Sequence, residues 1–184
     1  FMHAYLFNKA TIAIEMFHDS FNWSKEQNAK LSEWMGRRAV EMFPADPSPL
    51  SKKCPTDPKI NNFKKHEACQ NGGVIRAQAL LRVGIWNKDQ EFVEMAYLAF
   101  HRYMSGIRKD GSNISDGRRG CTAADYNIWA SQFMSDFLFH WDRISEPIWG
   151  KTFHKTVTPN KAVEYSLSII GNFEDLNKYT VKDQ

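Results

Sequence analysis

The sequence lacks the features that mark several large classes of protein. Its 24 lysines and arginines nearly balance 21 acidic residues, the formal net charge is +3, and it has no lysine-rich tract. This argues against a nucleic-acid partner or a charged membrane surface. The longest run of apolar character, residues 1–17, is interrupted by His3, Asn8, Lys9 and Glu15. That pattern excludes a membrane span and fits an amphipathic helix.

Cysteine is scarce, with only Cys54, Cys69 and Cys121. Three cysteines allow one disulfide and leave one thiol, and a bridge between Cys54 and Cys69 would close a long loop. The sequence has no Cys-x-x-Cys motif and no paired histidines, so we do not expect a zinc site. We predict neither a metal nor a cofactor.

The sequence begins at Phe1-Met2, inside what reads as a helix already under way, and no signal sequence precedes it. We interpret the chain as a piece of a longer polypeptide, so the missing signal says nothing about its compartment. With 184 residues, 42% of them hydrophobic, it is long enough for a single domain over residues 1–184 with its own core. We expect a monomer.

Helical periodicity dominates the sequence, and no segment alternates with period two for long enough to be a strand. The protein is therefore predicted to be all-α. Ser24 with Gln27 three residues later forms a capping box, which marks one helix start clearly. The predicted helices cover about residues 1–20 and 25–43, then run from after Gly72-Gly73 to about Gly84 and from an Asn87 cap with Gln90 to about Ser105. The last two cover about residues 118–141 and 159–171. The order of helix, turn, helix and longer loop indicates stacked antiparallel hairpins, arranged as a solenoid, a closed α/α toroid or an irregular bundle.

Five of the seven prolines fall between Pro44 and Pro58, which forbids a regular helix there. Residues 44–69 are therefore predicted to form a long loop. A loop of this length is either a lid over a cleft or a passive insertion.

Aromatic residues make up 14% of the chain, including six tryptophans and thirteen phenylalanines. Most of them are explained by a core rich in phenylalanine. Aromatic faces are also common where pyranose rings bind, and Trp129 is a candidate for that role.

The stretch from Asp110 to Tyr126, DGSNISDGRRGCTAADY, carries the residues best suited to chemistry. If a helix begins near Gly117, Arg119 and Tyr126 are seven residues apart on one face, separated by about 10 Å. A guanidinium that holds a carboxylate, beside a phenol that moves a proton, suits an acidic sugar. The alternatives are solvated arginines or an arginine paired with Asp116, and a core tyrosine with a satisfied hydroxyl.

Two further candidates precede the third predicted helix. Asn71, followed by two glycines, would lie at the same end of the helices as Arg119 if the third and fifth helices are parallel. An ordinary N-cap is the alternative for Asn71. His66, in the polar stretch KKHEACQN, is either solvent-facing or a general base. Arg118, His66 and Trp129 are candidate substrate-binding residues.

Three segments resemble the alginate lyases of the α/α-toroid type, which cleave polymannuronate. They are GIRKDGSNISDGRRGCTAADYNIWA from Gly106, Asn71 with VIRAQALLRVGIWNKDQEFVEMA, and TPNKAVEYSLSIIGNFEDLNKYT near the end. Together they span about residues 62–180. The order and spacing of the three segments are more specific than any one of them.

The resemblance implies part of an (α/α) toroid of antiparallel helical hairpins, acting on an acidic polysaccharide without a cofactor. It implies β-elimination on a 1,4-linked uronate, in which an asparagine and an arginine neutralise the C5 carboxylate and a tyrosine moves the proton. By position, these roles go to Asn71, Arg119 and Tyr126. A periplasmic or secreted location is expected.

The sequence departs from the family pattern at three positions. Gly72 stands where the family has a histidine. That histidine is tied most closely to elimination from guluronate, so the pattern is compatible with a tyrosine-only enzyme acting on mannuronate. Asp116 replaces a glutamate, and Ser115 replaces a leucine or similar residue. A typical member is much longer, so we expect the helices before Phe1 to include part of the cleft.

Two other functions compete with a lyase. One is a non-catalytic carbohydrate-binding toroid that keeps Arg119 and its aromatic residues. The other is a hydrolase of unsaturated uronyl sugars, which needs paired acidic residues in the cleft. The candidates for such a pair are Asp110, Asp116, Asp125 and Asp136.

Overall fold

A computed structural model describes residues 2–43, 54, 69–117, 122–154 and 157–171. Within these ranges the protein is all-α, as predicted, and the only β-type pairings are two isolated bridges. The helices are α1 (Met2–Phe17), α2 (Lys25–Met42), α3 (Asn71–Asn87), α4 (Gln90–Met104), α5 (Ile114–Gly117), α6 (Ala123–Trp141) and α7 (Pro159–Gly171). A 3₁₀ turn, His18–Ser20, follows α1. Most of the predicted 44–69 loop and the tail after Gly171 lie outside the described residues.

The capping box predicted for α2 is confirmed. The Gln27 backbone N–H donates to Ser24 Oγ at 3.1 Å, and the Ser24 backbone N–H donates to Gln27 Oε1 at 2.8 Å. These two bonds satisfy backbone groups that a helix start otherwise leaves without a partner.

The predicted hairpin of α3 and α4 is present, but its turn lies later than the sequence suggested. Helix α3 continues past Gly84 to Asn87, and Lys88 closes it in the left-handed conformation at φ 54°. Asp89, not Asn87, caps α4 by accepting from the Glu91 backbone N–H at 2.9 Å. The Asn87 amide is already engaged, because it donates across to α2.

Gly84 is an interior helix residue whose small size serves packing. A Cβ built at Gly84 would lie 2.8 Å from Val93 Cγ2 and 2.9 Å from the Val93 backbone nitrogen. Only a glycine lets the two helices of this hairpin approach so closely.

Helix α3 is the centre of the molecule and packs against α1, α2, α4 and α6. Asn8 and Glu15 of α1 contact Gln78 and Arg82 of α3 in the same order, so these two helices are parallel. Phe43 at the end of α2 packs on Phe7 near the start of α1, which makes α1 and α2 antiparallel. The core between the helices is apolar, and fully buried members include Leu80, Leu81, Phe100, Phe137 and Leu138.

A buried ionic cluster joins α1, α3 and α6. The side chain of Arg82 is 8% exposed, and it contacts Glu15 and, at 2.8 Å, Asp136. His140 lies 3.6 Å from Glu15 and 3.7 Å from Asp136. Burial, followed by the nearby charge of Arg82, lowers the pKa of His140. Because its charge is shared among two carboxylates, the guanidinium is buried without being left unpaired.

Cys54 and Cys69 form a disulfide, with Cα atoms 5.5 Å apart. The Cys54 backbone N–H donates to Ser105 Oγ at 2.7 Å, which anchors this point of the chain to the end of α4. Within the described ranges, no helix is both long and apolar enough to cross a membrane.

Candidate functional site

The DGSN part of the sequence motif forms a tight turn before α5. Ile107 pairs with Asn113, and the Arg108 backbone N–H donates to the Ser112 carbonyl at 2.9 Å. Gly111 has φ 94°, a conformation that favours glycine, and a side chain there would overlap Lys161 of α7. The turn is therefore built by its glycine and held against α7.

Asp110 stabilises the same turn. Its Oδ1 accepts hydrogen bonds from the backbone N–H of Ser112 at 3.0 Å and from the Ser112 hydroxyl at 2.6 Å. Burial alone would raise the pKa of Asp110, but these bonds and the charge of Arg108 outweigh it, so the pKa is lowered. A carboxylate held ionised in a turn is a structural group rather than a proton donor.

Asn113 and Asp116 join the first turns of α3 and α6. Asn113 Oδ1 accepts from the Ser115 and Asp116 backbone N–H groups, and its backbone N–H donates to Asn127 Oδ1 at 3.3 Å. Asp116 is fully buried and accepts from the Asn71 backbone N–H at 3.3 Å. This carboxylate lies at the positive end of the α3 dipole. Asn113 and Asp116 together form a clamp that places the N-terminal ends of α3 and α6 side by side.

Tyr103 is buried beneath this clamp. Its burial, together with the charge of Asp116, raises the pKa of its hydroxyl, while a hydrogen bond with Asn113 acts in the opposite direction. A phenol in this environment stays protonated and serves packing, not proton transfer.

Asn71 begins α3 but does not cap it. Gln70 occupies the N-cap position, and no side chain caps this helix. Asn71 is 1% exposed, and among the described residues neither its Nδ2 nor its Oδ1 has a hydrogen-bond partner. A buried amide without partners costs about 1–3 kcal/mol. An external group could recover that energy only if the residues that cover Asn71 move aside.

Tyr126 lies in the first turn of α6 and is half-buried, so it is not sealed in the core. Its ring meets Trp129 edge to face with centroids 6.0 Å apart. Trp129 is 46% exposed, so its ring is open to a ligand. A phenol and an indole are thus presented together near the start of α6.

The helix predicted over residues 118–141 begins later in the structure. Helix α6 begins at Ala123, not near residue 118, and the chain before it forms the separate helix α5, which ends at Gly117. The break follows from the Asn113 cap, which starts one short helix, and from Thr122, which is not α-helical at φ −95° and ψ 3°. Arg119 lies outside the described residues, so its position relative to Tyr126 stays a prediction.

Three predicted site residues, Arg118, Arg119 and His66, lie outside the described residues. Of the others, Asn71 and Tyr126 each lie in the first turn of a helix held by the clamp. The four aspartates considered for a hydrolase have different surroundings. Asp110 and Asp116 hold local structure, Asp136 binds Arg82, and Asp125 is exposed.

A groove next to Tyr126 was not foreseen from the sequence. It lies between α1, α3 and α6 and has a volume of about 260 Å³. Its lining residues are Tyr5, Lys9, Gln78, Trp129, Gln132 and Phe133. The available signal was helical spacing: Tyr5 and Lys9 are four residues apart on one helix, as are Trp129 and Phe133 on another. No local motif indicates that these two pairs meet.

In the part of the chain that the structure describes, no group of three or more His, Cys, Asp or Glu side chains is placed to hold an ion.

Comparison with known proteins gives a likeness of fold. Structures of alginate lyase A1-III superpose on the chain: a His-to-Ala variant complexed with tetrasaccharide has a TM-score of 0.74 and 17% identity. A Tyr-to-Phe variant, also complexed with tetrasaccharide, has a TM-score of 0.75 and 16% identity. The first alignment covers 98% of this chain and 46% of the lyase, and the second covers 99% and 48%.

The chain therefore spans about half the length of these lyases and has the α/α-toroid fold in that half. This confirms the predicted architecture and removes the solenoid and the irregular bundle. No family model matches the sequence. No curated protein matches it either.

Proposed function

We propose that the chain is part of a polysaccharide lyase that cleaves a 1,4-linked uronate polymer such as polymannuronate by β-elimination. The observation that carries the proposal is the buried Asn71 amide without a described partner, at the same end of the molecule as the half-buried Tyr126. The fold shared with alginate lyase A1-III supports it.

In the proposed reaction the C5 carboxylate of one uronate accepts hydrogen bonds from the Asn71 amide and the Arg119 guanidinium. Their neutralisation of its charge makes the C5 proton more acidic. The ionised oxygen of Tyr126 takes that proton, and the electron pair of the C5–H bond forms a C4=C5 double bond. The C4–O bond breaks, and the phenol returns its proton to the leaving oxygen.

Substrate binding requires a local rearrangement, because Asn71 is 1% exposed. The residues that cover it have to move before a carboxylate can reach the amide. Arg118, His66 and Trp129 are proposed to bind the neighbouring sugar units. Gly72 cannot supply the imidazole of the related lyases, so the proposed substrate is the mannuronate polymer, on which one tyrosine serves as both base and acid.

We propose a periplasmic or secreted location. The Cys54–Cys69 disulfide supports it, because disulfides persist in oxidising compartments and are rare in the cytosol.

The test is incubation of the full-length protein with polymannuronate, following the ultraviolet absorbance of the unsaturated uronate product. Tyr126→Phe should lower kcat by at least about 100-fold, the usual contribution of a general acid or base. Tyr97→Phe is the matched control: Tyr97 lies on α4 and its hydroxyl accepts from Lys151 at 2.9 Å, so turnover should be retained.

Undiminished turnover by Tyr126→Phe would refute the catalytic assignment. If the wild type binds uronate oligomers in calorimetry but forms no product, the chain is a carbohydrate-binding protein and the lyase proposal fails.

A further inference from the structure

The groove beside Tyr126 has one lysine, Lys9, among its lining residues. Lys9 is exposed, and its Nζ lies 5.3 Å from the centroid of the Tyr5 ring and 5.9 Å from that of Phe133. Among the described residues, no carboxylate lies within ion-pairing distance of Lys9. Two aromatic rings hold the ammonium group in place without cancelling its charge.

The base of the groove is rigid. Gln78 is buried, its Oε1 accepts from Asn8 Nδ2 at 2.5 Å, and its Nε2 donates to Asp136. Asp136 is in turn bound to Arg82, which it shares with Glu15. Asp136 thus pairs with Arg82, and its contact with Gln78 holds the amide at the base of the groove.

The walls of the groove suit a sugar ring. Trp129 is 46% exposed, and an indole face can stack on the apolar face of a pyranose. Gln132 is also exposed and supplies an amide that can donate to and accept from hydroxyl groups. At about 260 Å³, the groove is slightly smaller than pockets for drug-sized ligands, about 300–1,000 Å³, and fits a single monosaccharide unit.

The geometry points to a uronate-specific subsite in this groove, with the sugar ring on Trp129 and the sugar carboxylate on Lys9. Trp129 touches Tyr126 with ring centroids 6.0 Å apart, so the subsite holds a sugar unit adjacent to the one that reacts. This inference rests on the proposed lyase function. It adds that Lys9 makes the protein select an acidic polymer over a neutral one.

The test measures binding of mannuronate oligomers by calorimetry in a Tyr126→Phe background, in which turnover does not interfere. Lys9→Met keeps most of the aliphatic stem but removes the charge. It should weaken binding by about fivefold, as expected for one partly exposed ion pair. It should also reduce the salt dependence of binding. Lys9→Arg should bind within about twofold of the parent, because it restores the charge.

Two controls separate this effect from a change in folding or in overall charge. Lys25→Met removes the same charge at the exposed start of α2 and should leave binding unchanged. A neutral β-1,4-linked mannose oligomer should bind Lys9→Met and its parent equally, because it has no carboxylate.

The outcomes distinguish the subsite from the proposed function. If the wild type cleaves polymannuronate and Lys9→Met binds the oligomers as tightly as its parent, the subsite is refuted and the lyase stands. If the wild type does not cleave the polymer, but Lys9→Met still loses affinity for mannuronate oligomers and not for neutral mannose oligomers, the subsite stands and the lyase proposal is refuted. Equal loss for acidic and neutral oligomers would also overturn the role of Lys9.

Discussion

Replacing Gly84 with alanine tests the close packing of the α3–α4 hairpin. Two opposing effects act at this position. Alanine in the interior of a helix is favoured over glycine by about 1 kcal/mol. The new Cβ, however, would lie 2.8 Å from Val93 Cγ2, 2.9 Å from the Val93 nitrogen and 3.1 Å from the Asp89 carbonyl oxygen. Two of these three neighbours are backbone atoms, so a rotamer change cannot relieve the overlap.

Overpacking of this kind costs about 1–3 kcal/mol, and contacts with backbone place Gly84→Ala in the upper half of that range. After the gain in helix propensity is subtracted, the expected net loss is about 1–2 kcal/mol. For a domain of this size, that lowers Tm by about 2–8 °C. The measurement is thermal unfolding followed by circular dichroism, supported by urea unfolding to obtain the free energy directly.

Gly36→Ala is the matched control, because Gly36 is also inside a helix. A Cβ there would meet only the Asn87 side-chain nitrogen at 3.3 Å and the edge of the Phe92 ring at 3.9 Å. The Asn87 amide can shift by a few tenths of an ångström, so helix propensity should dominate and Tm should rise or stay the same. If Gly84→Ala stabilised the protein as much as Gly36→Ala, the close approach of α3 and α4 would be wrong.

Three further perturbations have expected outcomes. Arg82→Met should destabilise the fold by about 3 kcal/mol in urea unfolding, because it leaves the Glu15 and Asp136 carboxylates without their cation. Arg38→Met is the control: it breaks an exposed ion pair and should cost about 0.5 kcal/mol or less. Reduction of the Cys54–Cys69 disulfide, which closes 15 residues, should cost about 3 kcal/mol, and the Cys54→Ala/Cys69→Ala variant should not respond to the reductant. The pKa of His140 is lowered in the folded protein, so as the pH falls the unfolded chain binds a proton before the folded protein does. The contribution of His140 to stability is therefore complete above about pH 6.5 and is lost as the pH falls towards the folded pKa. The free energy of unfolding of the wild type, relative to that of His140→Gln, should therefore fall as the pH is lowered from 7.5 to 5. A difference in free energy that does not change over this range would contradict the lowered pKa of His140.

The fold could be predicted from the sequence wherever local chemistry determines it. The capping box formed by Ser24 and Gln27 marks a helix start within four residues, and α2 begins there in the structure. Errors arose where tertiary contacts override local preference. Gly84 resembles a helix stop but is a contact point, and Asn87 resembles a cap but donates to the Ser32 carbonyl on α2 at 3.1 Å.

The candidate site was less predictable, because its parts come from different helices. The DGSNISD segment belongs to the stretch whose residues suggest chemistry, yet its Asn113 and Asp116 hold the starts of α3 and α6 together. Lys9 and Trp129 are 120 residues apart in the sequence, so no spacing rule indicates that they line one groove. Their meeting depends on the parallel packing of α1, α3 and α6, which only the folded chain provides.

The clamp between α3 and α6 fixes the backbone position of one candidate site residue, Asn71. Two parallel helices present their N-terminal ends at the same side, and these ends attract negative charge. Asp116 occupies one of them and accepts from the Asn71 backbone N–H, which leaves the Asn71 side chain without a described partner while fixing where it lies. Asp116→Asn would keep the shape of this cap but remove its charge. If the clamp orients Asn71 for a carboxylate, this variant should raise KM for polymannuronate when assayed well below its Tm. A purely structural clamp would lower Tm and leave KM unchanged.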